Sequence, residues 1–481
     1  MKYIQCPINK IALSAGKNKT AILMDSGPVT YSRLEQLIRQ TTYQLTLSGI
    51  NKKTKVGMYL PNGITFIVIY FALLRAGAVP VLLNMRFPLG VVEKVLINLN
   101  CLVLLTLQNN LKEFLSIKCL VCEDLIKQDS PLESDFGRYA LNSTSNIMFT
   151  SGSEGTPKAV VHTIENHYYS ALGSNRHIPL IKGDQWMLSL PAYHVAGLSV
   201  LWRVFMAGAS LSVMDDRTDL VRNLKKYEPS HISLVSTQLI KCLKDSRCRK
   251  FLSTMKCILI GGSAANPVAF QTARELRLPI YVSYGLTEMS SQVATSKKIL
   301  SMKEAGPVRI LPYRRLRIDS NGNVLVKGKT LFKGYYVNGH IKKVVDKEGW
   351  FKTGDLGLLT KGSGLKIIGR RDNMFISGGE NIYPEEIERE ILQSGMIEQA
   401  VVVSKADPLY GCRPVAFVKM LQGKRFSRKK LIAHLKIHLE KYKIPDEFFY
   451  IPEPEPSAMK INRRNLESLL RENSSVLVKA I

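Results

Sequence analysis

Between Thr150 and Ala159 the chain reads TSGSEGTPKA, with two serines, two threonines, two glycines, a proline and a single lysine in ten residues. A plain turn is served by two or three such residues. Glycines let backbone N–H groups approach an oxyanion closely, while hydroxyls and one ammonium add donors. Thr150, Ser151, Gly152, Ser153, Gly155, Thr156 and Lys158 therefore have the chemistry of a phosphate cradle. The spacing differs from GxxxxGK followed by Ser or Thr, and an ordinary surface loop stands as the alternative for this segment alone. A second candidate is Arg203. It interrupts the apolar run LSVLWRVFMAG (Leu198–Gly208), where a guanidinium needs either an anion or a path to solvent. Asp355, in TGDLG, reads by itself as a turn cap. Lys460 is one of 67 basic residues and by itself reads as a surface charge.

The elements that must position these residues follow an α/β rhythm. KVGMYLPN (Lys55–Asn62) has the pattern of a buried strand, GITFIVIYFALLRAG of a helix closed by Gly77, and AVPVLLN of a further strand. Strand, helix and strand within about 30 residues make a βαβ unit and a parallel sheet. The rhythm recurs at HISLVSTQLIKCL, KCILIGGSAANP and LPIYVSYGLTE. Two of these strands end in GGSA and YGLTE, which leaves glycine and hydroxyls at their carboxyl ends, where open α/β sheets bind ligands. NGNVLVKGKTLFKGYY suggests a β-meander with an Asn-Gly turn. Near residue 370 the texture changes to an acidic helix (Pro384–Leu392), two strand-like runs and another helix. The predicted architecture is a large α/β domain with parallel sheets and a β-rich subdomain over 1–369, a hinge at 370–372, and a small mobile α+β domain over 373–481.

The chain has 481 residues and a formal net charge of +28. That balance fits anionic small substrates steered by a positive field, a nucleic-acid partner, or a uniformly lysine-rich surface. The basic residues are scattered, and the densest cluster, GKRFSRKK (Gly423–Lys430), runs into an amphipathic helix, so no nucleic-acid partner is expected. Of eight cysteines only Cys119 and Cys122 form a CxxC pair, with no second pair to complete a zinc site. His434 and His438 share a helix face without the glutamate of a zinc protease. ITFIVIYFALL is too short to span a bilayer, and the N-terminus lacks a signal-peptide core. The expectation is a cytoplasmic protein with no stable membrane insertion and reduced thiols. The oligomeric state stays open, a homo-oligomer included.

TSGSEGTPK, YGLTE, TGD, GRRDN and SGGENIYPEEIE, in that order, make the chain resemble the adenylate-forming superfamily of acyl-CoA synthetases, luciferases and peptide-synthetase adenylation domains, over nearly its whole length. The resemblance implies a carboxylate attacking the α-phosphate of ATP with Mg2+, then coenzyme A displacing AMP. It assigns the β- and γ-phosphates to the loop Thr150–Lys158 and adenine to Gly261, Gly262, Ser263, Ala264 and Tyr284, with Gly285 beside them. Thr287 becomes a phosphate contact and Glu288 the magnesium ligand. Asp355 and Arg370 take the ribose hydroxyls, and Asp372 the hinge. Ser377, Gly378, Gly379 and Glu380 line the thiol's path, and Lys460 is the catalytic lysine, supported by Lys158 and by His194 at the gate of the acyl pocket. Two residues depart from the pattern. Ala458-Met459-Lys460 stands for the usual Ser/Thr-Gly-Lys, and Glu154 stands where many members carry Thr, its side chain expected to point outward. Arg203, with Ser236 and Thr237, would line a pocket for an aromatic dicarboxylic acid. Within the superfamily HVAG…WR with SLVSTQL is most similar to the o-succinylbenzoate–CoA ligases of menaquinone biosynthesis. Another aryl- or medium-chain acyl-CoA synthetase is the alternative.

Overall fold

The computed structural model describes residues 2–108, 111, 116–126, 137–150, 157–214, 219–262, 267–298, 308–360, 364–452, 463–472 and 476–480. Three sheets organise it. The first has eight strands. Lys55–Tyr59, Val79–Leu82, Val103–Thr106 and Lys118–Val121 run parallel, and Val79–Leu82 also lies parallel to Thr144–Thr150. The expected βαβ unit is present, its crossover helix spanning Ile64–Arg75. Ten of that helix's twelve residues are buried, so its hydrophobicity belongs to a core. No helix among the described residues is long and apolar enough to cross a membrane.

The second sheet has thirteen strands. Thr20–Met24, Ser210–Val213, Gln185–Leu188, His231–Leu234, Cys257–Ile260 and Ile280–Leu286 form a parallel run. Beyond Ile280–Leu286 the sheet continues antiparallel through Ser291–Thr295, Val308–Ile310, Gly364–Arg370, Phe351–Thr360, Asn323–Gly328 and Arg314–Ile318. The β-rich part is thus one continuous extension of the parallel sheet. The predicted meander is split between two sheets. Its Asn321-Gly322 turn joins Arg314–Ile318 to Asn323–Gly328, but Gly334–Val337 crosses to the first sheet and pairs with the strand Lys158–Thr163. Two backbone bonds steer the crossing: Phe332 N–H to the Glu288 carbonyl at 2.8 Å and Lys333 N–H to the Val161 carbonyl at 2.9 Å.

The third sheet pairs Ile397–Asp407 antiparallel with Gly411–Met420, and Glu447–Tyr450 parallel to the latter. Helices Pro384–Gln393, Arg428–His438 and Arg463–Arg471 pack on it. Its two apolar clusters, centred on Ile387, Val402 and Leu431 and on Val403, Phe417 and Leu466, draw only on residues from 375 onward. Ser427 caps Arg428–His438, so the basic cluster is the start of a helix. The eight cysteines are free thiols, seven of them buried.

Candidate functional site

The parallel strands of the second sheet deliver their carboxyl ends together. Ile280–Leu286 carries Tyr284 and runs into a one-turn helix, Thr287–Met289. Cys257–Ile260 ends at Gly261 and Gly262, and His231–Leu234 at Ser236 and Thr237, the first residues of the helix Ser236–Lys244. The Gly261 N–H bonds the Leu234 carbonyl, at 3.4 Å. Gly285 is required by close approach, since a Cβ there would stand 2.3 Å from the Ser291 carbonyl oxygen.

Two phenol–carboxylate pairs form beside these ends. The Tyr284 hydroxyl donates to Asp355 Oδ2 at 2.5 Å, and Arg370 Nη1 donates to Asp355 Oδ1 at 3.1 Å. Asp355 and Arg370 are cross-strand neighbours, which fixes that meeting. Arg370 Nη2 also reaches Asp372 Oδ2 at 3.2 Å. Burial raises the Asp355 carboxyl above its ordinary value despite Tyr284 and Arg370, which pull the other way. Asp355 is thus a buried, shared acceptor and more than a turn cap. In the second pair the Tyr335 hydroxyl donates to Glu288 Oε1 at 2.6 Å, and Lys158 Nζ lies 5.9 Å from the centre of the Tyr335 ring. Burial, with Glu288 next, pushes the Tyr335 phenol up, while Arg370 pulls it down. The same guanidinium pulls on the Tyr284 phenol. Lys158, Glu288, Asp355 and Arg370 therefore gather at one locality.

Thr150 and Lys158 face each other across the strands Thr144–Thr150 and Lys158–Thr163. The loop between them, with Ser151, Gly152, Ser153, Glu154, Gly155 and Thr156, lies outside the described residues, as do Ser263, Ala264 and Lys460. Ser377 and Glu380 close a hairpin whose two turn residues, Gly378 (φ +57°) and Gly379 (φ +88°), both lie in the left-handed region. That is the geometry in which glycine costs least. Glu288 offers a hard carboxylate oxygen of the kind magnesium prefers, and its second oxygen is not engaged by Tyr335.

Arg203 sits on the helix Val195–Ala207 and is 1% exposed. It does not snorkel to solvent. Its Nη2 donates to the Ser291 hydroxyl at 3.2 Å, its guanidinium lies 5.5 Å from the Trp186 ring centre, and its Nε is buried with no hydrogen-bond partner. Among the described residues no carboxylate pairs with it. Burial pulls its pKa down to about 10, so it is charged at neutral pH. Trp186 in turn donates to the Ser233 hydroxyl at 3.2 Å, three residues before Ser236. His194 is the N-cap of the Arg203 helix, its ring 4.7 Å from that of Tyr193. A second buried guanidinium, Arg314, is satisfied by carbonyls of Gln292, Pro312 and Ser170.

Sequence reasoning missed Tyr335, Ser291 and Trp186. The pair YY in LFKGYY carried no mark of a partner 47 residues upstream. Ser291 follows YGLTEMS closely enough that the motif's neighbourhood could have suggested it.

The AMP-binding enzyme model matches residues 10–336, and the AMP-binding enzyme C-terminal domain model matches residues 386–456. A curated 2-succinylbenzoate–CoA ligase of Bacillus mycoides is 31% identical over 470 residues, covering 95% of this chain and 96% of that one. Among solved structures, o-succinylbenzoate coenzyme A synthetase from Bacillus subtilis in complex with ATP and magnesium ion superposes with a TM-score of 0.87 at 27% identity, over 97% of this chain and 100% of that one. The same enzyme in complex with the acyl-adenylate intermediate OSB-AMP gives a TM-score of 0.86 at 26% identity, over 97% and 99%. With both family models matched in order and the fold shared end to end, the chain belongs to the AMP-binding, adenylate-forming enzyme family.

Proposed function

We propose that this chain is an AMP-forming acid–CoA ligase that adenylates o-succinylbenzoate and passes it to coenzyme A, a step of menaquinone biosynthesis. In the first half-reaction a carboxylate oxygen of the acid attacks the α-phosphorus of ATP, and the bond to pyrophosphate breaks. In the second, the thiol of coenzyme A loses its proton and attacks the acyl carbon, and AMP leaves. Two anions must meet in the first step, so fixed positive charge and excluded water set the rate.

The observation that carries the substrate is Arg203. A buried cation without an anion is costly, and a fatty acid has nothing to offer it beyond the carboxylate that reacts. An aromatic dicarboxylic acid has a second carboxylate, and the benzoate group of o-succinylbenzoate fills that role while the succinyl carboxylate is activated. Ser236 and Thr237 line the same pocket, with His194 at its gate. The relatives' names agree with this choice.

The nucleotide roles are those the family resemblance implies, and the two phenol–carboxylate pairs support them. Asp355 accepts from the ribose hydroxyls with Arg370 beside it, and Tyr284, Gly261 and Gly262 flank adenine. Lys158, Thr150 and the loop that joins them hold the β- and γ-phosphates with Thr287. Glu288 holds the magnesium ion, which when bound spreads and neutralises phosphate charge. Lys460 offsets the charge that develops between the acid and the α-phosphate. The segment after Asp372 swings once adenylation is complete, exchanging Lys460 for the Ser377–Glu380 hairpin, whose glycines let the pantetheine arm pass. The setting is cytoplasmic, where ATP and coenzyme A are supplied.

The test is pyrophosphate release with o-succinylbenzoate against a panel of fatty and aryl monocarboxylic acids. o-Succinylbenzoate is expected to give the highest kcat/KM. A fatty acid in first place overturns the substrate, and no release with any acid overturns the activity.

A further inference from the structure

His162 is fully buried on the strand Lys158–Thr163, four residues beyond Lys158. A leucine would continue the apolar AVV run at no desolvation cost, so an imidazole there needs a reason. Its Nε2 stands 2.7 Å from the Thr287 carbonyl oxygen. A carbonyl only accepts, so Nε2 carries the hydrogen and Nδ1 accepts, 3.3 Å from Asn146 Nδ2. Asn146 Oδ1 in turn accepts from His167 Nε2 at 2.7 Å, and His167 stacks on Trp202, the neighbour of Arg203, with ring centres 5.8 Å apart. Every role in this chain is consistent with neutral rings, as full burial of both dictates.

What His162 grips is a strained turn. Ser290 and Ser291, directly after Thr287–Met289, have φ of +52° and +98°, and non-glycine residues hold such angles only where their surroundings over-determine them. The Ser170 hydroxyl holds the Ser290 carbonyl at 2.6 Å and Arg314 Nε the Gln292 carbonyl at 2.6 Å. The Phe332 N–H holds the Glu288 carbonyl at 2.8 Å. The bond from His162 secures the leading end, and it alone among these comes from the strand that begins at Lys158.

We infer that His162 is a positioning residue for the triphosphate: by tying the Thr287 carbonyl to the Lys158 strand it sets the distance between the lysine and the Thr287–Glu288 pair. The inference rests on the reading that these two elements hold the phosphates and magnesium. Methionine and glutamine are close in size, and a glutamine amide can donate where Nε2 does, so His162→Met and His162→Gln isolate the hydrogen bond. Calorimetry on the full chain would compare a magnesium complex of α,β-methylene-ATP with AMP, which lacks the β- and γ-phosphates. His162→Met is expected to bind the triphosphate analogue about tenfold more weakly with AMP affinity within about twofold of wild type. His162→Gln should recover most of the loss. Equal loss for AMP and the analogue, equal behaviour of Met and Gln, or wild-type binding by His162→Met would each overturn the proposal. Glu288→Gln examines the underlying reading separately. If it abolishes the magnesium dependence of analogue binding while His162→Met binds as wild type, only the role of His162 falls. If it leaves that dependence intact, the reading of the turn falls and takes the inference with it.

Discussion

Arg203→Met removes the buried guanidinium while keeping most of its volume. Burial pulls that group from the ordinary guanidinium range down to about 10, which at about 1.36 kcal/mol per tenfold amounts to about 3 kcal/mol against the charged form. Among the described residues this cost is offset by Ser291 and the Trp186 face. An incoming carboxylate that pairs with the fork recovers a comparable amount, within the ~2–5 kcal/mol seen when one partner of a buried charge pair is truncated. About 3 kcal/mol is roughly a hundredfold in kcat/KM. The assay is pyrophosphate release with o-succinylbenzoate and with 4-oxo-4-phenylbutanoate, which has the same acyl chain and ring but no ring carboxylate. The variant is expected to lose about a hundredfold on the first and less than about threefold on the second. Arg203→Lys should fall between, because an ammonium keeps the charge but not the fork. The melting temperature should hold or rise, since the orphaned Nε and an uncompensated charge are gone. Equal losses on the two acids, or an unchanged rate on the dicarboxylate, would refute the reasoning.

Tyr335→Phe removes the donor that holds Glu288 and should raise KM for MgATP several-fold with KM for the acid unchanged, measured at varied magnesium. Adenosine binding should weaken on acidification: burial raises the Asp355 carboxyl above 3.8, so its acceptor form is lost as pH falls at a higher pH than for an ordinary aspartate, and Asp355→Asn should abolish that pH dependence. Global stability should also fall with acid. His162 is held at about 4 in the fold against 6.5 when unfolded, so the unfolded chain takes the proton first. Stability is therefore complete above pH 6.5 and lost as pH falls towards 4. Between pH 7 and pH 5 this group alone costs about 2 kcal/mol, readable as a lower urea midpoint that His162→Gln shifts less. Lys460→Ala should cut pyrophosphate release by orders of magnitude yet leave thioester formation from pre-made acyl-adenylate nearly intact, as single-turnover assays of each half would show.

Much of this site is legible in sequence because its chemistry demands unusual residue types in one short stretch. Gly285 next to Tyr284 and Thr287, the Gly378-Gly379 turn and a lone arginine in LSVLWRVF all break the pattern that packing alone would write. The βαβ rhythm is legible for a related reason: Ile64–Arg75 and its flanking strands are contiguous, so one window of sequence contains the whole unit. What stays hidden depends on where distant segments cross. Tyr335 reaches Glu288 only because Gly334–Val337 leaves the expected meander for the other sheet, and nothing local to LFKGYY distinguishes those two edges. His162 meets a carbonyl 125 residues away, and its place in AVVH reads as an ordinary core position. The unbroken apolar run Ala159–Val161 marks a strand buried on both faces but not what lies against it.

The site also treats its two signs of charge differently. Each carboxylate assigned to the nucleotide has a phenol already on it, Tyr284 on Asp355, which Arg370 also reaches, and Tyr335 on Glu288, whereas among the described residues Arg203 has a hydroxyl and an aromatic face. The asymmetry has a physical logic. A phenol on a carboxylate is a neutral partner, and its hydrogen bond can be displaced by ribose hydroxyls or a cation at a cost of about 1–3 kcal/mol. An internal carboxylate on Arg203 would satisfy the guanidinium with an ion pair far harder to open, costing ~3–5 kcal/mol to break in a buried setting, and the acid would have to break it before binding. With no carboxylate on the cation among the described residues and a displaceable phenol on each anion, the groups stand ready for exchange. On the proposed reading, an acid whose single carboxylate stands at the α-phosphate leaves Arg203 without an anion, which favours acids that carry a second carboxylate.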